Sequence, residues 1–326
     1  MRFLHLFLLW GLVGLMSCRP GRSRIEIRQG DWYLNGALTY AGAPAEGLLL
    51  NVRMVNATFE DEHRPDIEPQ AITDQLVRAL PDYAAAGIRA ITLNLQGGFP
   101  GYEGALNSAF RPDGSLKLGY LMRVRQVLEA ADAAGMAVIL GCFYQRQDQV
   151  LRDEKALRRA VTETALWLRR QGYAHVLLEI ANEIHHPGYD HGLLQDPAGV
   201  AELIAVVREA HPQLLVSASG LGDGRLPEAV AEAADFLLIH FNGTPVDSIP
   251  ARVAALRHWG KPIVCNEDNK VGDEGQAAAE AAVAAGCSWG FMHIKHNQHY
   301  PFQFLGPADD ERVYSALARL AGRSAP

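Results

Sequence analysis

The sequence predicts an α/β fold: a single eight-stranded parallel barrel, that is a (β/α)8 TIM barrel, with a short N-terminal β-hairpin. Three observations predict it. From residue 47 onward short apolar runs alternate with helical patterns, eight of each, which is the βα arithmetic of a barrel of about 250 residues. No GxGxxG motif follows the first strand, which counts against a doubly wound nucleotide-binding sheet. No repeat, low-complexity segment or linker breaks the pattern, so 47–326 reads as one domain.

The elements follow in order. Met1-Arg2 and the apolar run from Phe3 to Met16 form a charged start and a hydrophobic stretch too short to span a bilayer, so 1–17 reads as a secretory signal. Leu15-Met16-Ser17-Cys18 looks like a bacterial lipobox, in which Cys18 would carry the lipid; an ordinary signal peptide is the alternative. The expectation is export to the bacterial cell envelope, in the periplasm or at the cell surface, with membrane contact through that anchor alone. Residues 18–46 then supply a basic tether, 19–24, and a hairpin over 25–40 marked by the Asn35-Gly36 turn, which should cover the barrel floor. Strands begin near Leu48, Ile88, Met136, His175, Gln213, Asp235, Pro262 and Cys287. Helices are predicted over 71–86, 118–134, 153–171, 197–210, 226–234, 249–259, 273–285 and 309–320. Pro81 should kink or split the first of them.

Composition narrows the function. Thirty Lys and Arg against 37 Asp and Glu, with no long block of either sign, argue against a nucleic-acid surface. Beyond Cys18, the widely spaced Cys142, Cys265 and Cys287 read as buried thiols rather than a disulfide framework or a CxxC zinc site.

Strand residues of a barrel alternate between interior and helix layer, and polar residues facing inward at the C-terminal strand ends mark the chemistry. Simple alternation sends Asn51 and Arg53 inward from the first strand, and Thr92, Asn94 and Gln96 from the second. It does the same for Glu179, Ala181 and Glu183 on the fourth, His240 on the sixth, and Cys265 and Glu267 on the seventh. The mouth should therefore hold Arg53, Asn94, Gln96, Glu183, His240 and Glu267. Two carboxyls across a cavity can divide the work of glycoside hydrolysis, one protonating the leaving oxygen and the other attacking the anomeric carbon. Arg53 is placed to favour the ionised form of one of them. Glu179, roughly 13 Å below Glu183 at strand rise, is too deep for that role and should pair inside the barrel.

At these residues the chain resembles the retaining glycoside hydrolases of clan A, the group of family 5 cellulases and mannanases. Ile180-Ala181-Asn182-Glu183 is similar to that clan's strand-4 motif, and 261–267, Lys-Pro-Ile-Val-Cys-Asn-Glu, to its strand-7 motif. The resemblance implies Glu183 as acid/base, Glu267 as nucleophile, and Asn182 on the hydroxyl next to the reacting carbon. It also implies that Arg53 steadies the nucleophile, that His240 lies close to the reacting sugar, and that a carbohydrate is the substrate with no cofactor required. The clan's Tyr two residues after the strand-6 His is Asn242 here, so that phenol must come from elsewhere or be absent.

Other candidates carry two readings each. Trp289 could stack on sugar or sit too low to reach it, with His293 and Lys295 nearer the mouth on the same face. His185 and His186 could wall the sugar site or lie on a surface loop, while Tyr144 and Gln145 could line the cleft or Tyr144 could simply pack. Asp268 and Asn269 could bind hydroxyls or cap the next helix. The loop 97–102, Gly-Gly-Phe-Pro-Gly-Tyr, reads as a mobile rim offering Phe99 or Tyr102 to a sugar. The His clusters 185, 186, 191 and 293, 296, 299 invite a metal, but the first strand lacks the His-x-His a metal-dependent hydrolase barrel would use, so no metal is expected. A carbohydrate-binding barrel without catalysis and a metal-dependent hydrolase stand as the rival functions.

Overall fold

The computed structural model describes residues 22–324. The predicted signal and Cys18 lie outside the described residues. The chain opens with a three-stranded antiparallel sheet, β1 (Ile25–Arg28), β2 (Asp31–Leu34) and β3 (Ala37–Leu38). The predicted hairpin is thus two hairpins. Asn35-Gly36 makes the second turn, and Gln29-Gly30, with φ of 55° and 91°, makes a first that the sequence reading did not mark.

Barrel strands are β4 (Asn51–Arg53), β5 (Ala90–Asn94), β6 (Ala137–Phe143), β7 (Val176–Ala181), β8 (Val216–Ser217), β9 (Leu237–His240) and β10 (Ile263–Glu267). The short β11 (Cys287–Ser288) and β12 (Gly290–Phe291) together form the eighth staves' worth of backbone. All barrel pairings are parallel, in the orders β12-β4-β5-β6-β7-β8 and β11-β10-β9. Parallel bridges Ser219–Leu238 and Asp268–Phe291 join the two sets at both junctions into a ring.

Around the ring run α1 (Pro69–Ala85), α2 (Leu118–Ala133), α3 (Glu154–Gln171), α4 (Gly192–Gln195), α5 (Pro197–Ala210), α6 (Glu228–Ala233), α7 (Ile249–Leu256), α8 (Gly272–Ala284) and α9 (Glu311–Leu320). Their ends follow the local chemistry. Asp153, Asp196 and Asp310 cap α3, α5 and α9 by accepting from Ala156, Ala198 and Val313 N–H, and left-handed Gly172 closes α3. Of the two outcomes expected at Pro81 the split does not occur: proline removes one donor, and the burial of Leu76, Leu80 and Tyr83 on either side holds α1 together as one helix. Among the described residues no helix is long and apolar enough to cross a membrane.

Two apolar clusters result. One lies between strands and helices and holds Leu50, Val52, Met54, Ile91 and Leu93 as alternation requires. The other fills the lower barrel with Leu49, Ile139, Leu177, Leu238 and Val264, and Ile25, Trp32 and Leu34 of the N-terminal sheet close it from below. Trp32 is fully buried and meets Phe236 edge-on at 5.6 Å. Cys265 belongs to the helix-side cluster, not the interior, which corrects the simple alternation on β10. Cys142, Cys265 and Cys287 are free and buried.

Candidate active site

Two local irregularities build the mouth. On β10 the register slips between Cys265 and Glu267, so Asn266 is the extra residue of a β-bulge and Glu267 sits opposite His240 of β9. With Val264 inside and Cys265 outside, unbroken alternation would have turned Glu267 away from the cavity; the bulge returns it. After β7, Glu183 adopts φ of 54°, a left-handed conformation unusual for this residue type, and its N–H donates to Ser219 Oγ at 2.9 Å. The chain kinks there, and both Asn182 and Glu183 present side chains to the mouth.

The side chains form one network. Arg53 Nε lies 2.9 Å from Glu267 Oε2, and Arg53 Nη2 donates to Asn182 Oδ1 at 2.6 Å. Asn242 Nδ2 donates to the other oxygen of Glu267, Oε1, at 2.6 Å. His240 Nδ1 stands between the acids, 3.2 Å from Glu183 Oε1 and 3.7 Å from Glu267 Oε2. Gln145 Nε2 donates to Glu183 Oε2 at 3.1 Å and its Oε1 accepts from Asn182 Nδ2 at 3.1 Å. One oxygen each of Glu183 and Glu267 and a ring nitrogen of His240 lie within 4.8 Å of one another.

Charge follows burial. Desolvation works against the His240 imidazolium, but the Glu267 charge and the hydrogen bond to Glu183 outweigh it and raise its pKa above the ordinary 6.5. Burial pushes the Glu183 carboxyl up, yet His240, with Arg53 and His186 behind it, brings it below the ordinary 4.5. Arg53, fully buried, is held protonated by Glu267 and Glu179 against its own desolvation. Glu179 is buried below, raised by desolvation despite Arg53 and His240, with Asn266 Nδ2 3.4 Å from its Oε2. The two shifts run in the same sense, favouring an imidazolium on His240 beside a carboxylate on Glu183.

The remaining predicted site residues divide. Tyr144 is buried at the end of β6, and the charges of Glu267, Arg53 and Glu183 all act on its phenol, so a phenol does stand near the pair. Asn94 is buried against Gly141 of β6. Gln96 is spent on structure: it donates to Gln147 O at 2.9 Å and accepts from Tyr144 N at 3.1 Å, tying the loops after β5 and β6. Trp289 is wholly buried, donates Nε1 to Asp268 Oδ2 at 2.9 Å and stacks on Phe291, which removes it as a sugar platform. Asp268 also holds Lys270 Nζ at 2.9 Å, while α8 starts after Val271, so Asp268 caps no helix. His293 accepts from His296 N–H at 3.1 Å and stacks on its ring, locking the turn after β12. His185 is exposed and lines a different cavity from His186, together with Leu221 and Arg225.

Within each His cluster one member forms a structural pair with a buried Asp. His191 Nδ1 binds buried Asp148 at 2.8 Å, and His296 Nδ1 lies 3.2 Å from Asp309. Glu183, His240 and Glu267 span distances a cation could bridge, but the Arg53 guanidinium already occupies the Glu267 side and His240 leans toward its charged form. That donor set fits an ion-pair network better than a metal centre. The sequence reading missed Ser219 and the use of Asn242; the position of Asn242, two residues after an inward His240, was the available signal.

No protein-family model and no curated protein matches the sequence. Solved structures do. A family 5 glycoside hydrolase from Bacteroides vulgatus ATCC 8482 superposes with a TM-score of 0.62 at 16% identity, covering 91% of this chain and 68% of that one. An exo-beta-1,4-mannosidase from Opitutaceae bacterium strain TAV5 gives 0.60 at 15% identity over 91% of this chain. The chain spans 61% of that mannosidase's length. A family 5 mannosidase from Rhizomucor miehei gives 0.59 at 11% identity, covering 92% of this chain and 97% of the other. At such identities the likeness is one of fold: the chain is a (β/α)8 barrel, the fold these glycoside hydrolases share.

Proposed function

We propose that the protein is a retaining glycosidase in which Glu183 is the acid/base and Glu267 the nucleophile. The observation that carries this reading is the carboxyl spacing: oxygens of the two acids lie within 4.8 Å at the barrel mouth. Retaining enzymes hold their carboxyls about 5 to 5.5 Å apart, whereas inverting ones need about 6.5 to 9.5 Å to seat a water.

The geometry performs the reaction as follows. Arg53 and Asn242 engage the two Glu267 oxygens as donors and fix the direction of attack on the anomeric carbon. Glu183 must deliver a proton as the glycosidic oxygen leaves. In this reading His240 stores that proton and passes it from Nδ1 to Glu183 Oε1 as substrate displaces solvent and weakens the carboxylate's stabilisation. The bond from the anomeric carbon to Glu267 forms as the bond to the leaving oxygen breaks. Glu183, now a base, takes a proton from water, and the hydroxide so formed displaces Glu267 with the original configuration restored. Asn182, steered by Arg53 and Gln145, is placed for the hydroxyl beside the reacting carbon.

The test is turnover of a panel of aryl pyranosides and furanosides, both anomers, and of plain polysaccharides by the chain lacking residues 1–18. Turnover of a panel member should fall by at least about a hundredfold in Glu183→Ala and in Glu267→Ala. Turnover that survives both changes would overturn the assignment. Export and a lipid tether at Cys18 complete the proposal, and Cys18→Ser should release the protein from the membrane fraction.

A further inference from the structure

We propose that Lys270 is a positioning residue for the nucleophile: buried against Asp268, it clamps the backbone leaving β9 and, through the Asn242 amide, sets the direction of the Glu267 carboxylate. The inference rests on the glycosidase reading and deepens it.

The chain of contacts is continuous. Lys270 Nζ donates to Asp268 Oδ1 at 2.9 Å and to Phe241 O at 2.6 Å, so it ties the loop after β10 to the loop after β9. Phe241 N–H donates to Glu267 O at 2.9 Å, and the next residue, Asn242, donates Nδ2 to Glu267 Oε1 at 2.6 Å. The carbonyl that Lys270 holds belongs to the planar peptide unit joining Phe241 to Asn242, so the tilt of that unit sets where the Asn242 side chain leaves the backbone.

Both ends of the clamp are themselves fixed. Asp268 Oδ2 accepts from Trp289 Nε1 at 2.9 Å, its N–H donates to Gly290 O at 3.0 Å and its carbonyl accepts from Met292 N–H at 2.8 Å. Trp289, out of reach of a sugar, braces this acid instead. Lys270 lies so close to the first turn of α8 that a Cβ on Gly275 would clash with its carbonyl. On the other side the Phe241 ring is buried beneath Gly224, and Thr244 N–H shares the Phe241 carbonyl at 2.8 Å.

Stability alone does not account for the pair. Lys270 is only 8% exposed and Asp268 is wholly buried. Burial pushes the Asp268 carboxyl up, and the Lys270 charge and the Trp289 donor work against that. Two charges taken out of water add little net stability, and apolar residues of similar volume often serve folding as well. What they would not supply is a charged donor on the Phe241 carbonyl, the stronger kind of hydrogen bond, next to the nucleophile.

The test is a double-mutant cycle on the best panel substrate. Lys270→Met, which keeps most of the stem and removes the donor, should lower kcat roughly three- to tenfold with KM within about twofold. In an Asn242→Ala background the same change should lower kcat by less than about twofold, because the group it acts through is gone. Falls of equal size in both backgrounds, a change carried by KM, or no fall in either background would overturn the assignment. Asp268→Asn/Lys270→Met leaves no buried charge unpaired and should give the same result where the single variant does not fold. If no panel substrate turns over, the glycosidase reading fails and NMR decides the clamp alone, on the Asn242 side-chain amide signals identified by their loss in Asn242→Ala. Those signals should move in Lys270→Met while the Asn182 amide signals stay; movement of both, or of neither, overturns the clamp.

Discussion

The two ends of the barrel are built on opposite principles. At the floor, Ile25, Trp32 and Leu34 seal an apolar interior of Leu49, Ile139, Leu177 and Leu238. At the mouth, Arg53, Asn182, His240, Asn266 and Glu267 are buried polar or charged groups, and backbone irregularity appears at the two residues assigned the chemistry. Burying such groups opposes folding unless each is paired, whereas burying the floor favours it. Stability is thus drawn from the floor and opposed at the mouth, and substitutions at the two ends should have separable effects.

The largest expected effects are Trp32→Ala and Glu267→Gln, on different observables. Trp32→Ala opens a cavity under the barrel and should cost about 3 to 5 kcal/mol in denaturant unfolding, while the folded fraction keeps its turnover. Glu267→Gln should lose at least about a hundredfold in turnover. Activity lost in proportion to the Trp32→Ala destabilisation, with none left in folded protein, would break the separation of floor and mouth.

A smaller effect is expected at Asn242. Its amide is a donor the clan's Tyr would otherwise supply, so Asn242→Ala should lower kcat by roughly tenfold with a lesser change in KM, and Asn242→Asp by more, through a like charge 2.6 Å from Glu267. A change confined to KM would mean that Asn242 meets substrate rather than positions the nucleophile.

The smallest and most diagnostic effect is in pH. A raised His240 pKa means that its contribution to stability is present below 6.5 and fades as pH rises through the folded value. A lowered Glu183 pKa means that its contribution is present above 4.5 and fades as pH falls through the folded value. The mouth network is therefore strongest between those limits. In His240→Gln the proton store is gone, and the alkaline limb of kcat/KM should move to lower pH. An unmoved limb would detach His240 from the proton that reaches the leaving group.

The barrel was legible because its signals are periodic. Each apolar run and each amphipathic stretch from Leu48 to Leu320 became the expected strand or helix, with ends displaced by a few residues. Arg53, Asn182, Glu183, His240 and Glu267 were legible as strand-end polar residues, although alternation alone gives the wrong reason for Glu267. The bulge at Asn266 and the left-handed backbone at Glu183 are single-residue events that no period records. Trp289 and Gln96 were misread for a related reason. Facing the cavity says nothing about which partner a side chain has already found, and theirs are Asp268 and the loops after β5 and β6.

The most direct test of the central claim is the configuration of the first-formed product, followed by proton NMR during turnover of the best panel substrate. The account predicts the same anomer as the substrate, appearing before mutarotation. The opposite anomer would contradict a covalent intermediate on Glu267 and, with it, the division of labour between the two carboxyls.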